Sequence, residues 1–139
     1  MIRRLTSVLA FSVMLAGCGV QGEAYQPRAT PGSKSVIYLY RPYKFLSSQA
    51  APLISCGHES IELESGGFYE FVEDTGPLTC AIAGEANSEY KFDAHAGERY
   101  FIKEEIDASG ITTHARLIRM DPDVATDELK ECSREGIKQ

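Results

Sequence analysis

The chain reads as an all-β protein, a small antiparallel β-sandwich of seven to eight strands with a short C-terminal helix. Three observations predict this. Short runs of β-branched and aromatic residues recur at roughly 8–12-residue spacing between clusters of turn-forming residues. Several of these runs alternate apolar and charged side chains, the period of a half-buried strand. A helical start signal occurs late, at Asp121-Pro122.

The elements follow in order. In SVIYLYRP, Val36 through Tyr40 form an unbroken apolar run, which predicts a strand covered on both faces. Pro42 ends its pairing. A short strand is expected at Pro52–Cys56. In ESIELESGG, Ile61 and Leu63 alternate with Glu62 and Glu64, and Ser65-Gly66-Gly67 turns the chain into FYEFV. Residues 60–72 therefore read as a hairpin. DTGP leads into LTCAIA, where Leu78, Cys80 and Ile82 share one face. EYKFDA sets Tyr90, Phe92 and Ala94 against Glu89, Lys91 and Asp93. After the turn Ala96-Gly97-Glu98, RYFIKEEI alternates less cleanly, and THARLIRM supplies the last strand. Asp121 as N-cap and Pro122 in the first turn then open a helix. Val124, Leu129 and Cys132 are expected near one face of it, with Gly136 at its end.

The beginning of the chain has a different character. Two arginines, Arg3 and Arg4, precede Leu5–Ala16, twelve residues with nothing more polar than Thr or Ser. That arrangement predicts a secretory signal over residues 1–17. A spanning helix needs roughly 20 apolar residues, so this run is too short to be one. Its end, Leu15-Ala16-Gly17-Cys18, resembles the lipobox of bacterial lipoproteins. The resemblance implies a diacylglyceryl thioether on Cys18, cleavage after Gly17, and a further acyl chain such as palmitate on the new amino terminus. Two or more acyl chains anchor a protein stably where one does not. Gly19 stands where Asp often signals inner-membrane retention, so the resemblance places the protein on the periplasmic face of the outer membrane. Without lipid, the same signal would release a soluble periplasmic protein. Residues 18–33, rich in Gly, Pro and small polar side chains, read as a lipidated cysteine and flexible tether reaching roughly 20 Å. Residues 34–139 read as the sandwich domain with its helix.

Removing 17 of 139 residues leaves 122, enough for one domain with a real core and with little room for two. Twelve basic residues then face 20 acidic ones, a net of −8. No basic stripe suited to nucleic acid is present, and no polybasic cluster flanks the anchor.

Apart from Cys18, three cysteines remain: Cys56, Cys80 and Cys132. Export to an oxidising compartment makes one disulfide plausible. Cys56–Cys80 is favoured because both lie in strand-like segments, with Cys132 left as a thiol on the helix. Cys56–Cys132, which would staple the helix to the sheet, stays open. Cys56-Gly57-His58 is a single close pair with no second pair at ligand spacing, so no metal or other cofactor is expected. Cys56, His58 and Glu59 as a nucleophilic group would need an orienting third side chain that three neighbours on one turn do not easily supply. No glycine-rich loop opens a helix to cradle phosphate.

One surface feature stands out. Arg41-Pro42-Tyr43-Lys44-Phe45 places two cations and two aromatics in an expected loop. Arg41, Tyr43, Lys44 and Phe45 are candidates for a recognition patch, since Arg and Tyr are favoured at interfaces. The competing reading is structural, with the Arg stem and Tyr ring covering the sandwich edge.

SVIYLYRPYKF, ELESGGFYEF, TGPLTCAIAG and AGERYFIKEE together resemble the domain-of-unknown-function family 2846, over about residues 34–120. Gly76-Pro77 departs from that family's commoner Pro-Gly turn, and Ser65 from its frequent Asn. The resemblance implies a small β-sandwich on a bacterial lipoprotein and brings no activity. The expected function is a non-enzymatic module of the cell envelope, held by lipid and acting through protein binding or as a structural part. The alternative is a periplasmic carrier of a small or apolar ligand between the sheets. Aromatic side chains from Tyr38, Tyr40, Phe92 and Tyr100 are expected to fill that space, which disfavours a carrier.

Overall fold

β1 (Ser35–Tyr40) is buried along its whole length, as its unbroken apolar run predicts, and the fold is built around it. The computed structural model describes residues 22–47, 50–107 and 113–135; Cys18 and the segment 1–17 expected as a secretory signal lie outside them. The further strands are β2 (Leu53–Cys56), β3 (Glu59–Glu62), β4 (Gly67–Glu73), β5 (Gly76–Ile82), β6 (Tyr90–Ala94), β7 (Arg99–Asp107), β8 (His114–Arg119) and β9 (Ser133–Arg134). Among the described residues one α-helix, α1 (Pro122–Leu129), precedes β9. Two sheets face each other, ordered β8-β7-β1-β4-β9 and β3-β2-β5-β6. The all-β sandwich with one short C-terminal helix is therefore the architecture.

Burial on both faces of β1 demands two cores. Ile37 and Leu39 point between the sheets, where they meet Ile54, Leu63, Phe71 and Ile102. Val36, Tyr38 and Tyr40 lie in the second core, on the outer face, with Tyr25, Phe68, Phe101, Ala125 and Leu129. Tyr38 stacks on Phe101 at 5.3 Å between ring centroids, and Tyr25 meets Tyr38 edge-on at 5.4 Å. Such aromatic pairs add about 0.5–1.5 kcal/mol beyond the area they bury. Two of the four aromatics expected between the sheets thus lie outside them; Phe92 and Tyr100 are the pair that packs inside, 4.7 Å apart.

The helix starts as its sequence predicts. Asp121 Oδ1 accepts from the Asp123 amide at 2.9 Å, and Pro122 occupies the first turn, where its missing N–H costs nothing. Ala125 and Leu129 face the sheet, while Val124, expected inward, is half-exposed. Glu128 ties α1 down, accepting from Tyr40 Oη and from Lys103 Nζ, each at 2.6 Å. Helix α1 ends at Leu129, well short of Gly136. The amides of Glu131 and Cys132 turn back to the carbonyls of Glu128 and Leu129, a tightening that frees the chain to pair as β9.

Three further expectations change. Residues 60–72 are not a hairpin: β3 pairs with β2, and β4 pairs with β1 in the opposite sheet. Ser65-Gly66-Gly67 is a crossing between sheets, caught by Arg41, whose carbonyl accepts from the Gly66 amide and whose amide donates to the Gly67 carbonyl. The true hairpin turns at Gly57-His58, with Gly57 at φ +64°, a conformation glycine adopts without strain. The sheets are not wholly antiparallel, since β1–β7 and β4–β9 run parallel. Finally, the stretch expected as tether joins the domain: Ala24 bridges to Ser133, and Tyr25 is buried.

Cys56 and Cys80 sit directly opposite in β2 and β5 and form a disulfide. Cys132 is a buried free thiol. Its pairing with Cys56 is ruled out by position, because Cys132 belongs to the outer core and Cys56 to the inter-sheet core, with the larger sheet between them. Replacing both Cys56 and Cys80 by Ala should lower unfolding free energy by about 3 kcal/mol, the chain-entropy value for a loop of this size; urea titration measures it. In the native wild type Cys132 should resist alkylation, and it should react once the chain is unfolded.

Candidate functional site

The segment after β1 splits into an inward root and an outward tip. Strand alternation continues past Tyr40, so Arg41 points between the sheets, as Leu39 does, and is 2 % exposed. Its guanidinium Nη1 donates to the Ala50 carbonyl at 2.6 Å and to the Leu63 carbonyl at 3.3 Å. The Glu104 carboxylate lies 3.9 Å away, also fully buried. Neither Glu104 oxygen accepts a hydrogen bond. Burial pushes the Glu104 carboxyl up to about 7, against the opposing pull of Arg41, and burial likewise lowers the Arg41 guanidinium from its ordinary value.

Residues beyond Pro42 turn outward. Tyr43 is 56 % exposed, Phe45 79 % and Leu46 87 %, with Phe45–Ser47 forming a single 3₁₀ turn. The backbone beneath is held. The Lys44 amide donates to Ser65 Oγ at 3.0 Å, and the Tyr43 side chain lies over Gly66. A polar groove bordered by Lys44, Glu105 and Arg116 runs alongside, at the end of β7 and the start of β8. Exposure this high for neighbouring Phe and Leu is unusual on a domain with two filled cores. Contiguous exposed apolar side chains rimmed by polar ones mark interaction surfaces.

Of the four residues expected in the patch, Tyr43, Lys44 and Phe45 are therefore on the surface and Arg41 is not. Neither reading of the arginine describes its place: it is buried in the core and neither faces a partner nor covers an edge. Leu46 was missed, and it extends the apolar tip. Glu104 was missed too. It occupies a core-facing position of β7 with Tyr100, Ile102 and Ile106, and an acid at an apolar position of the alternation was the available signal.

The other chemical candidates separate. Cys56 is committed to its disulfide and cannot serve as nucleophile beside His58 and Glu59. His58 is an exposed side chain with Nδ1 3.3 Å from Glu73 Oε2. Burial, with the charges of Glu128 and Glu131, pushes the Cys132 thiol up to about 12, so it stays protonated at neutral pH. Among the described residues no group of three His, Cys, Asp or Glu side chains is arranged to hold a metal ion. No helix among them is long and apolar enough to cross a membrane.

The class defined by this fold is a two-sheet β-sandwich with a helix packed on the outside of its larger sheet. Comparison with protein-family models, curated proteins and solved structures finds no match.

Two outcomes follow from the Arg41–Glu104 pair. Arg41→Ala removes the partner of Glu104 together with the donor to the Ala50 and Leu63 carbonyls, and should cost about 3–5 kcal/mol in urea unfolding. The pH effect has a definite sign. Glu104 binds its proton more tightly folded than unfolded, so its contribution to stability is full below about pH 4.5 and is lost as pH rises to about 7. The loss is on the order of 3 kcal/mol. Glu104→Gln should abolish that part of the slope between about pH 4.5 and 7; parallel profiles for variant and wild type would show that burial of this carboxyl does not govern it.

Proposed function

We propose that this chain is a lipid-anchored protein of the bacterial cell envelope whose β-sandwich acts as a non-enzymatic binding or structural module. Cys18 carries the acyl chains, and the periplasmic face of the outer membrane is its address. The observation that carries this reading is the motif Leu15-Ala16-Gly17-Cys18 behind an apolar run, and the way the chain joins the domain gives the anchor a mechanical role. A Cβ at Gly22 would overlap the Arg134 carbonyl, the Arg134 amide donates to the Glu23 carbonyl at 2.8 Å, and Tyr25 is buried. The domain therefore grips its own N-terminal segment within four residues of Cys18. An anchor there transmits position to the sandwich instead of letting it swing on a long tether.

A module of this kind works by being held at a surface, where its loops and sheet edges meet other envelope components. The filling of the inter-sheet space by Ile37, Leu39, Phe71, Phe92 and Tyr100 favours this over carriage of a ligand between the sheets.

Expressed in a bacterium fed an alkyne-tagged palmitate, the full chain should take up label and fractionate with outer membrane. Cys18→Ser should lose the label and appear in the soluble periplasmic fraction. An unlabelled, soluble wild-type product would overturn the proposal.

A further inference from the structure

We infer that the tip formed by Tyr43, Lys44, Phe45 and Leu46 is a second membrane contact, inserted into the interface of the bilayer that holds the acyl chains of Cys18. The inference rests on the proposed anchorage and adds to it an orientation: the sandwich stands on the membrane by two points.

Composition and exposure suit that occupant. An apolar pair, exposed at 79 % and 87 %, is flanked by a tyrosine and a lysine. Aromatic rings favour the headgroup level of a bilayer, and a lysine stem can lie along apolar surface while its ammonium reaches the phosphates. The mature chain is acidic overall, so general attraction to anionic lipid does not drive the contact; apolar burial at the tip does.

Geometry brings anchor and tip within reach of one surface. Ala24 bridges Ser133, Ser133 pairs with Gly67, and Gly67 bonds to Arg41. That row crosses the larger sheet at the end where β1 finishes. Three strand spacings separate Ala24 from Arg41, about 14 Å in all, and the tip begins two residues beyond Arg41. From Gly22 back to Cys18 the chain spans at most about 14 Å. Going back from Ala24 to Gly22 the chain runs along β9 away from this end, by about 7 Å. The reach from Gly22 is long enough to return, so lipid at Cys18 and side chains at the tip can enter the same leaflet with no change in the fold. The bonds from Arg41 to Ala50 and Leu63, and from Lys44 to Ser65, hold the tip's base in place, so its insertion does not require ordering a loose loop.

The chain contains no tryptophan, which makes a single introduced Trp a clean reporter. Phe45→Trp and, separately, Leu46→Trp are prepared in the acylated full chain and bound to vesicles of phosphatidylethanolamine and phosphatidylglycerol. Val72→Trp is the control. Val72 is half-exposed and pairs with Val36 at the far end of β1. The expected result is a blue shift and quenching by bromine-labelled acyl chains at 45 and 46, with position 72 remaining accessible to iodide. Co-sedimentation with vesicles but no quenching at 45 or 46 would overturn the inference while leaving the anchorage intact. Equal quenching at all three positions would overturn it, since no tip would then be selected. Shielding of position 45 only when envelope proteins are added would also overturn it and assign the tip to a protein partner. Failure to co-sediment at all would overturn the anchorage, and the inference with it.

Discussion

A strand that is apolar on both faces has to be covered twice, and β1 imposes that requirement on the whole molecule. Opposing sheets satisfy one side. The other would leave Tyr38 and Tyr40 in water, and it is closed by α1, Phe101 and the incoming Tyr25. The helix, the two-residue strand after it and the N-terminal segment are therefore one device for sealing the outer face. Each fully buried large side chain there contributes about 1.5–3 kcal/mol of transfer free energy, which repays the ordering of segments that would otherwise be loose.

The same strand sets the site. Alternation along β1 does not stop at its last paired residue, so Arg41 follows Leu39 inward and carries a charge into the sandwich. Leaving it alone would be costly, and Glu104 on the neighbouring strand accompanies it. The pair is held at 3.9 Å with both carboxylate oxygens lacking hydrogen bonds, an arrangement whose desolvation can exceed its mutual attraction. What it supplies is placement. Arg41 clamps the Ala50 and Leu63 carbonyls while its own backbone holds the crossing at Gly66-Gly67. The exposed residues that follow are presented from this fixed root, so a buried charge and a surface apolar tip belong to one construction.

Much of the architecture was legible from local pattern. The doubly covered β1, the faces of β5 and β6 and the N-cap at Asp121 follow from periodicity and residue type, which favoured the Cys56–Cys80 pair while leaving Cys56–Cys132 open. The hairpin at 60–72 failed because a glycine turn says that a chain reverses, not which sheet receives it. Tyr25 escaped notice since one aromatic among Gly, Pro and small polar residues has no periodicity to betray it. Arg41 looked like a surface group because cations usually are; only the continued alternation past Tyr40 hinted otherwise.

By itself the sequence determined fold class, most strands and the helix start, because these rest on neighbours along the chain. Tertiary structure alone decided the partners: which sheet takes β4, which core takes Cys132, which acid meets Arg41, and which strand receives the segment around Ala24. Those depend on contacts between residues as far apart as Ala24 and Ser133. The pairing of such distant positions is chosen by the shared need to bury two faces of one strand, a demand no local window contains.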